Sequence, residues 1–207
     1  MYVALSFDDG YLSHYSIAQT LAHMNIRATF YCIAHFKNPL FARHEYIQEI
    51  AELGHEVGSH TVSHQDLTKL SIEKLDFELK ISKRLLEDVI GDEIIGMAYP
   101  NGYFNLKVLS VASRYYEYAR SAAVYKQEDP YNVKPPNRYV ISALQVRYLP
   151  KLSIKALKNG KMINPVIFAH NISCLKIIWL ISYLKALGAK FVTVKELVDN
   201  LMKNGIL

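Results

Sequence analysis

The feature that most constrains the fold of this chain is an alternation of short apolar runs with longer segments of helical periodicity. Runs rich in β-branched and aromatic residues predict eight strands, at 2–7, 28–33, 55–59, 94–99, 118–124, 138–142, 165–169 and 190–193. The segments between them predict six helices, at 14–24, 43–53, 72–89, 105–115, 174–187 and 195–204. Such alternation is typical of an α/β fold with a mainly parallel sheet. Eight strands suit a βα barrel, and the smaller number of helices favours an irregular one.

The 207 residues contain no internal repeat, low-complexity tract or linker, so we expect one domain over residues 1–207. The segment Lys126–Asn137 contains three prolines and no periodicity, which predicts a long loop. The two cysteines, Cys32 and Cys174, are far apart and lack the CxxC spacing of a zinc or redox motif. This excludes a disulfide-rich scaffold.

Charge and hydropathy exclude two further classes of protein. The formal net charge of +5 comes from scattered residues, so no basic face for nucleic acid is expected. The most apolar late segment, 174–187, contains Lys176 and Lys185 and is too short and too charged to span a bilayer. The N-terminus enters a predicted strand at once, without the features of a signal peptide, so we expect a cytoplasmic protein. The oligomeric state stays open.

Polar residues follow several predicted strands, where parallel barrels place their active sites. Asp8 and Asp9 follow the first strand, and a cation beside two such carboxylates would keep both ionised. A simple Asp-Gly turn at Asp9 and Gly10 is an equal alternative. His60 and His64 follow the third strand, and their spacing of four permits a shared metal ion, although such a pair is commonly structural.

Two further strand ends add polar groups. The segment 98–102, AYPNG, predicts a turn that can aim a backbone N–H into a site, and His170 follows the seventh strand. With the residues above, the chain offers an Asp-His-His metal set, a spare carboxylate and a spare imidazole. This combination is typical of a hydrolytic site.

Four segments in this order resemble the signature motifs of the NodB-type polysaccharide deacetylases, carbohydrate esterase family 4. They are 6–10 (SFDDG), 60–64 (HTVSH), 98–102 (AYPNG) and 168–170 (FAH). The resemblance covers nearly the whole chain and implies a single NodB-like deacetylase domain, a distorted (β/α) barrel with seven or eight mainly parallel strands. It implies metal-dependent hydrolysis of N-acetyl or O-acetyl groups on a carbohydrate substrate, which we expect to contain N-acetylglucosamine.

The resemblance also implies roles for particular residues. Asp9, His60 and His64 would bind one divalent metal, for which zinc is the first expectation and cobalt, nickel and manganese are alternatives. Asp8 would be the general base, and His170 would be the general acid that protonates the leaving amine.

The remaining implied roles concern the acetyl group. The backbone N–H of Asn101, which stands where the family usually has tyrosine, would help to stabilise the oxyanion. Tyr99 belongs to the same substrate-binding motif, and Phe168 would line the pocket for the acetyl methyl group.

Two departures from the family pattern stand out. Ala98 occupies the position of an arginine that orients the base, and Arg120 or Arg138 would have to replace it from elsewhere. The fourth motif, an acidic loop with tryptophan that tunes the acid histidine, has only loose counterparts in Glu128–Asp129 and Trp179.

Two other functions remain open on sequence grounds. One is an amidohydrolase of the same barrel that acts on a cyclic amide or ureide. The other is a catalytically silent carbohydrate-binding barrel, which the 15 tyrosines, Ala98 and the absent fourth motif favour. The intact set of Asp9, His60 and His64 argues against a metal-free enzyme.

Overall fold

A computed structural model of the protein describes residues 1–35, 43–122, 137–146, 165–205 and 207. Its strands are β1 (Tyr2–Asp9), β2 (Thr29–Cys32), β3 (Glu56–Ser59), β4 (Gly96–Ala98), β5 (Tyr118–Ala122), β6 (Ile141–Gln145), β7 (Val166–Ala169) and β8 (Lys190–Val192). Its α-helices are α1 (Ser13–His23), α2 (His44–Glu52), α3 (Ile72–Ile90), α4 (Leu106–Ala112), α5 (Cys174–Ala186) and α6 (Val194–Lys203). Short 3-10 helices cover Leu67–Lys69 and Pro100–Gly102.

The predicted strands and helices are confirmed in type and order. The fourth strand is shorter than expected, and the sixth begins and ends three residues later than expected. Apart from Asn137, the predicted loop of Lys126–Asn137 lies outside the described residues. None of the helices in the described part of the chain is long and apolar enough to cross a membrane.

The sheet is a closed barrel of seven parallel strands with one extra strand. Neighbouring strands follow in the order β2, β3, β4, β5, β6, β7 and β1, and β1 also pairs with β2, which closes the ring. Strand β1 closes the barrel by pairing with two neighbours. Its residues Ala4–Phe7 pair with β7, and its residues Ser6–Asp9 pair with β2. The extra strand β8 pairs with Tyr2–Ala4, at the start of β1. The distorted (β/α) barrel is therefore confirmed.

Large aromatic side chains fill the barrel because two strands carry glycine opposite them. A Cβ atom at Gly96 would lie 2.1 Å from Cζ of Tyr118, and one at Gly58 would lie 2.6 Å from ring atoms of Tyr31. The two tyrosine hydroxyls lie 3.0 Å apart, and Tyr118 donates a 2.5 Å hydrogen bond to the Glu56 carboxylate. Burial raises the pKa of Glu56. The polar groups of Tyr31, Tyr118 and Glu56 are thus paired with one another, as is usual for buried polar groups.

Helix α3 lies outside β3 and shows how the sequence sets its limits. Ser71 caps its first turn by accepting a hydrogen bond from the Lys74 N–H, and Gly91 ends it in the left-handed conformation at φ 70°. Leu75, Leu79 and Leu86 form its buried stripe.

Candidate active site

The carboxyl end of the barrel gathers Asp9 with His60 and His64. Asp9 is the last residue of β1, and the two histidines belong to the segment that follows β3. Oδ1 of Asp9 lies 3.4 Å from Nε2 of His60 and 3.4 Å from Nε2 of His64. The potential ligand atoms of the three residues all lie within 4.8 Å of one another. The predicted cluster therefore exists in the structure.

Left-handed backbone turns these side chains toward one another. Asp9 has φ 78°, Thr61 has φ 69° and His64 has φ 56°, values that residues other than glycine rarely adopt. Each such residue costs on the order of 1–3 kcal/mol, so the surrounding contacts must hold it.

Glu78 of α3 stabilises the His60–His64 segment in this conformation. Its buried carboxylate accepts hydrogen bonds from the N–H groups of Val62 (2.8 Å) and Ser63 (3.0 Å), between the two histidines. The Thr61 hydroxyl oxygen accepts from the His64 N–H at 3.0 Å. Glu78 was not recognised from the sequence, although a charged residue next to Leu79 in the apolar stripe of α3 was a signal for it.

The two histidines and Asp9 direct potential ligand atoms at one another. His60 donates from Nδ1 to the Ala98 carbonyl at 2.8 Å, so Nε2 is the ring nitrogen that faces Asp9. Burial and the charge of His60 lower the pKa of His64. Burial raises the pKa of Asp9, but hydrogen bonding to His60 and the positive charges that His60, His170 and His64 carry whenever they are protonated lower it to about 2. At neutral pH, Asp9 is a carboxylate.

A divalent cation fits this donor set. Asp9 Oδ1 is buried without a well-formed hydrogen bond to any described residue, and it faces two imidazole nitrogens. One carboxylate and two histidines form a three-ligand set that leaves coordination positions open for water and substrate, as catalytic metal sites do.

Asp8 points into the barrel and forms a buried ion pair with Arg120 of β5. Nη2 of Arg120 lies 2.6 Å from Oδ2 of Asp8, and both side chains are buried. Arg120 pairs in register with Ala98 of β4. A guanidinium group from the adjacent strand thus reaches the carboxylate expected to act as base. Of the two arginines considered, Arg120 occupies this place, whereas Arg138 stacks on the ring of Tyr139 at 5.2 Å.

Aromatic rings hold the Arg120 guanidinium in position. Its Cζ lies 5.2 Å from the ring centre of Tyr31 and 4.8 Å from that of Phe168, distances typical of cation–π contacts. Oδ1 of Asp8 is buried and has no hydrogen-bond partner among the described residues. Asp8 therefore keeps one oxygen available to accept a proton.

His170 follows β7 on the other side of the cluster. Its Nε2 lies 4.0 Å from Oδ2 of Asp9, and its side chain is about 40% exposed. Its Nδ1 lies 3.2 Å from the side-chain nitrogen of Gln145, and its backbone carbonyl accepts a 3.0 Å hydrogen bond from Nε2 of His14. Nε2 of His170 therefore faces Asp9, and Nδ1 contacts Gln145 on the opposite side of the ring.

Sequence reasoning missed both supports of His170. Gln145 ends β6, but the sixth strand was predicted to end at residue 142, so Gln145 was not recognised as a strand-end residue. His14 lies on the buried face of α1 with Ile17 and Leu21. A histidine at an apolar position of this helix was the sequence signal for a buried polar contact.

The three residues predicted to contact the acetyl group differ in burial and in contacts. Phe168 packs between Arg120 and His170, whose ring centre is 5.6 Å away. The Tyr99 side chain is buried and donates to the Tyr139 carbonyl at 3.0 Å, and its backbone N–H donates to the Arg120 carbonyl at 3.0 Å, so both donors of Tyr99 are already paired. Asn101 lies in an exposed turn with φ 57°.

The two loose counterparts of the fourth motif have different outcomes. Glu128–Asp129 lie outside the described residues. Trp179 lies on α5 and lines a cavity that His170 also lines.

Comparison with known proteins agrees with this geometry. The polysaccharide deacetylase family model matches residues 1–118. Peptidoglycan-N-acetylglucosamine deacetylase PgdA of Listeria monocytogenes is 32% identical over 110 residues, which are 51% of this chain and 22% of that protein. The chain spans less than half the length of several curated relatives that it matches.

Solved structures share the fold. A family 4 acetyl xylan esterase from Clostridium thermocellum, in complex with a cobalt ion, has a TM-score of 0.72 at 19% identity, covering 100% of this chain and 93% of that one. A CE4 family pseudoenzyme from Bacillus anthracis has a TM-score of 0.71 at 18% identity, covering 95% of this chain and 64% of that one. The family model spans more than half of the chain and includes the Asp8–Asp9 and His60–His64 motifs. The chain therefore belongs to the polysaccharide deacetylase family.

Proposed function

We propose that this protein is a metal-dependent hydrolase that removes N-acetyl groups from a carbohydrate containing N-acetylglucosamine. The observation that carries the proposal is the grouping of a three-ligand set with a carboxylate on one side and an imidazole on the other. The relative from Listeria monocytogenes, a peptidoglycan-N-acetylglucosamine deacetylase, supports this choice of substrate.

Asp9, His60 and His64 would hold the metal, and zinc is the ion we expect from a carboxylate and two histidines. When bound, the metal supplies a Lewis acid that acidifies its water and polarises the acetyl carbonyl. The cobalt ion named in the Clostridium neighbour supports the presence of a divalent metal.

In this proposal Asp8 is the general base. Its ion pair with Arg120 fixes Oδ2, so Oδ1 is the atom that accepts the proton of the attacking water. A positioned base of this kind contributes on the order of 100- to 10,000-fold to the rate.

In this proposal His170 is the general acid. Expulsion of an amine requires a proton, and Nε2 of His170 faces the cluster while Gln145 holds Nδ1. The backbone N–H of Asn101 contributes to the oxyanion site, and the Phe168 ring offers apolar surface to the acetyl methyl group.

The test is acetate and free-amine release from N-acetylglucosamine oligomers, with and without a chelator, followed by restoration of zinc. We expect both products in equal amounts, loss of activity with chelator and recovery with metal.

Three other outcomes would indicate a different function. Cleavage of a cyclic amide or ureide by the protein after complete removal of metal would indicate the amidohydrolase of the same barrel. Binding of oligomers without any acetate release, in the metal-loaded protein, would indicate a silent carbohydrate-binding barrel. Release from an O-acetylated xylan oligomer alone would replace the amide substrate by an ester.

A further inference from the structure

A cavity of about 630 Å³ adjoins His170 and extends along helix α5. Tyr11 and His170 line it beside the candidate active site, and Lys176 and Trp179 line it on the helix. The volume lies within the range of pockets that bind drug-sized ligands. A substrate whose acetylated sugar lies at His170 can therefore extend into this cavity.

The wall of the cavity is mainly apolar. Val146, Ala169, Ile172 and Leu180 contribute aliphatic surface beside the Trp179 ring. Polar side chains also line the cavity, among them Gln145, Asn171 and Ser173, and Gln145 contacts His170. An apolar chain can bury surface against the aliphatic part of this wall.

Lys176 gives the cavity a positive charge. No carboxylate is among the described residues that line the cavity, and Lys176 has no ion pair in the part of the chain that the structure describes. An ammonium group in a mainly apolar wall favours a ligand with a negative charge.

The apolar surface continues from the cavity onto the outside of α5. Trp179 is 67% exposed and stacks on Tyr183 with an interplanar angle of 3°. Leu175 and Ile178 on the same helix are 80% and 37% exposed. Contiguous exposed apolar surface next to a cavity is typical of a binding surface.

We propose that this cavity binds the part of the substrate that follows the N-acetylated sugar, and that this part is an apolar chain joined through an anionic group such as a phosphodiester. Lys176 pairs with the anion, and Trp179 with the aliphatic wall covers the chain. The proposal rests on the proposed function for the position of the sugar, but binding in the cavity can be measured without turnover.

The single tryptophan of the chain, Trp179, makes its fluorescence a direct reporter of this cavity. We would titrate the protein with octyl phosphate below the concentration at which it self-associates, and with octyl glucoside and inorganic phosphate as separate probes. We expect octyl phosphate to give a saturable blue shift, octyl glucoside to bind more weakly, and inorganic phosphate to give no shift.

Lys176→Gln should weaken octyl phosphate binding by about threefold to tenfold, because one charge-assisted contact is lost. Lys185→Gln is the matched control, since Lys185 lies on the same helix but does not line the cavity. No saturable shift with octyl phosphate, or an equal effect of the two substitutions, would overturn the proposal.

Turnover separates this proposal from the proposed function. The substrates are N-acetylglucosamine as its methyl glycoside, as its octyl phosphodiester and as a neutral tetramer. We expect the octyl phosphodiester to have the highest kcat/KM, with the gain reduced in Lys176→Gln. A higher kcat/KM for the neutral tetramer would overturn the cavity proposal and leave the deacetylase intact. Octyl phosphate binding without cleavage of any substrate would contradict the deacetylase alone.

Discussion

Asp8 and Asp9 are neighbours in sequence but occupy different environments. Asp8 is buried against the Arg120 guanidinium, whereas Asp9 faces the imidazoles of His60 and His64. Successive residues of a strand point to opposite sides, and the left-handed backbone of Asp9 turns its carboxylate back toward the barrel end. Two adjacent carboxylates can thus serve as base and as metal ligand.

The buried Asp8–Arg120 pair should show strong energetic coupling. Arg120→Met leaves the Asp8 carboxylate buried without a cation, and we expect a loss of about 3–5 kcal/mol in the free energy of unfolding. Asp8→Asn combined with Arg120→Met should cost clearly less than the sum of the single substitutions. Urea unfolding of the four proteins measures this, with Arg138→Met as the control. Additive losses would show that the pair does not interact.

His170 should matter more for amides than for activated esters. His170→Ala should keep the metal but lose most amide hydrolysis, because an amine leaving group needs a proton. An aryl acetate, whose leaving group needs little protonation, should lose much less activity. Initial rates on both substrates measure the ratio. Equal losses would indicate a structural role for His170.

At the scale of elements, helix α3 supports the metal site through Glu78. Glu78→Leu leaves the Val62 and Ser63 N–H groups without their acceptor, so the His60–His64 segment should loosen. We expect zinc affinity to fall by about 10- to 100-fold, as for other residues that support metal ligands. Competition with a chromogenic chelator measures the affinity. Asp88→Leu, an exposed position on the same helix, is the control, and equal effects would contradict the role of Glu78.

For the whole molecule, buried His14 links stability to pH. Burial lowers the pKa of His14 from 6.5 to about 4. Below pH 6.5 the unfolded chain binds a proton there that the folded protein does not, so stability falls as the pH decreases from 6.5 to 4. This lowering of the His14 pKa corresponds to on the order of 3 kcal/mol of stability.

Urea unfolding of the chelator-treated protein at pH 7 and pH 4.5 measures this effect. In His14→Gln, the amide can still donate to the His170 carbonyl, and the acid loss of stability should be smaller than in the unchanged protein. His23→Gln removes an exposed histidine from the same helix and should leave the loss unchanged. A pH dependence that is the same in all three proteins would contradict the assignment to His14.

The alternation of apolar runs was enough to predict the barrel, since each strand buried on both faces is a short continuous apolar run. The motifs at strand ends likewise predicted the Asp9, His60 and His64 cluster. Closure of seven strands with β8 outside was not predictable, because the choice of pairing partner for β1 depends on sheet twist and stagger.

The supporting residues of the site were harder to predict. From the sequence, Arg120 and Arg138 were equal candidates for the partner of Asp8. The choice between them depends on the register of Arg120 opposite Ala98, which is a property of the folded sheet. Gln145 was hidden by a strand boundary three residues in error, and His14 by its place on a buried helix face. Gln145 and His14 contact His170 over separations of 25 and 156 residues, which local sequence patterns do not record.

The most direct test of the central claim is the metal content of three proteins after loading with zinc and dialysis. The unchanged protein and Asp8→Asn should each retain about one equivalent, since Asp8 is assigned as base and not as ligand. The variant with both His60→Ala and His64→Ala should retain close to none. One full equivalent in the double-histidine variant, or loss of the metal in Asp8→Asn, would contradict the assignment of Asp9, His60 and His64 as the metal site.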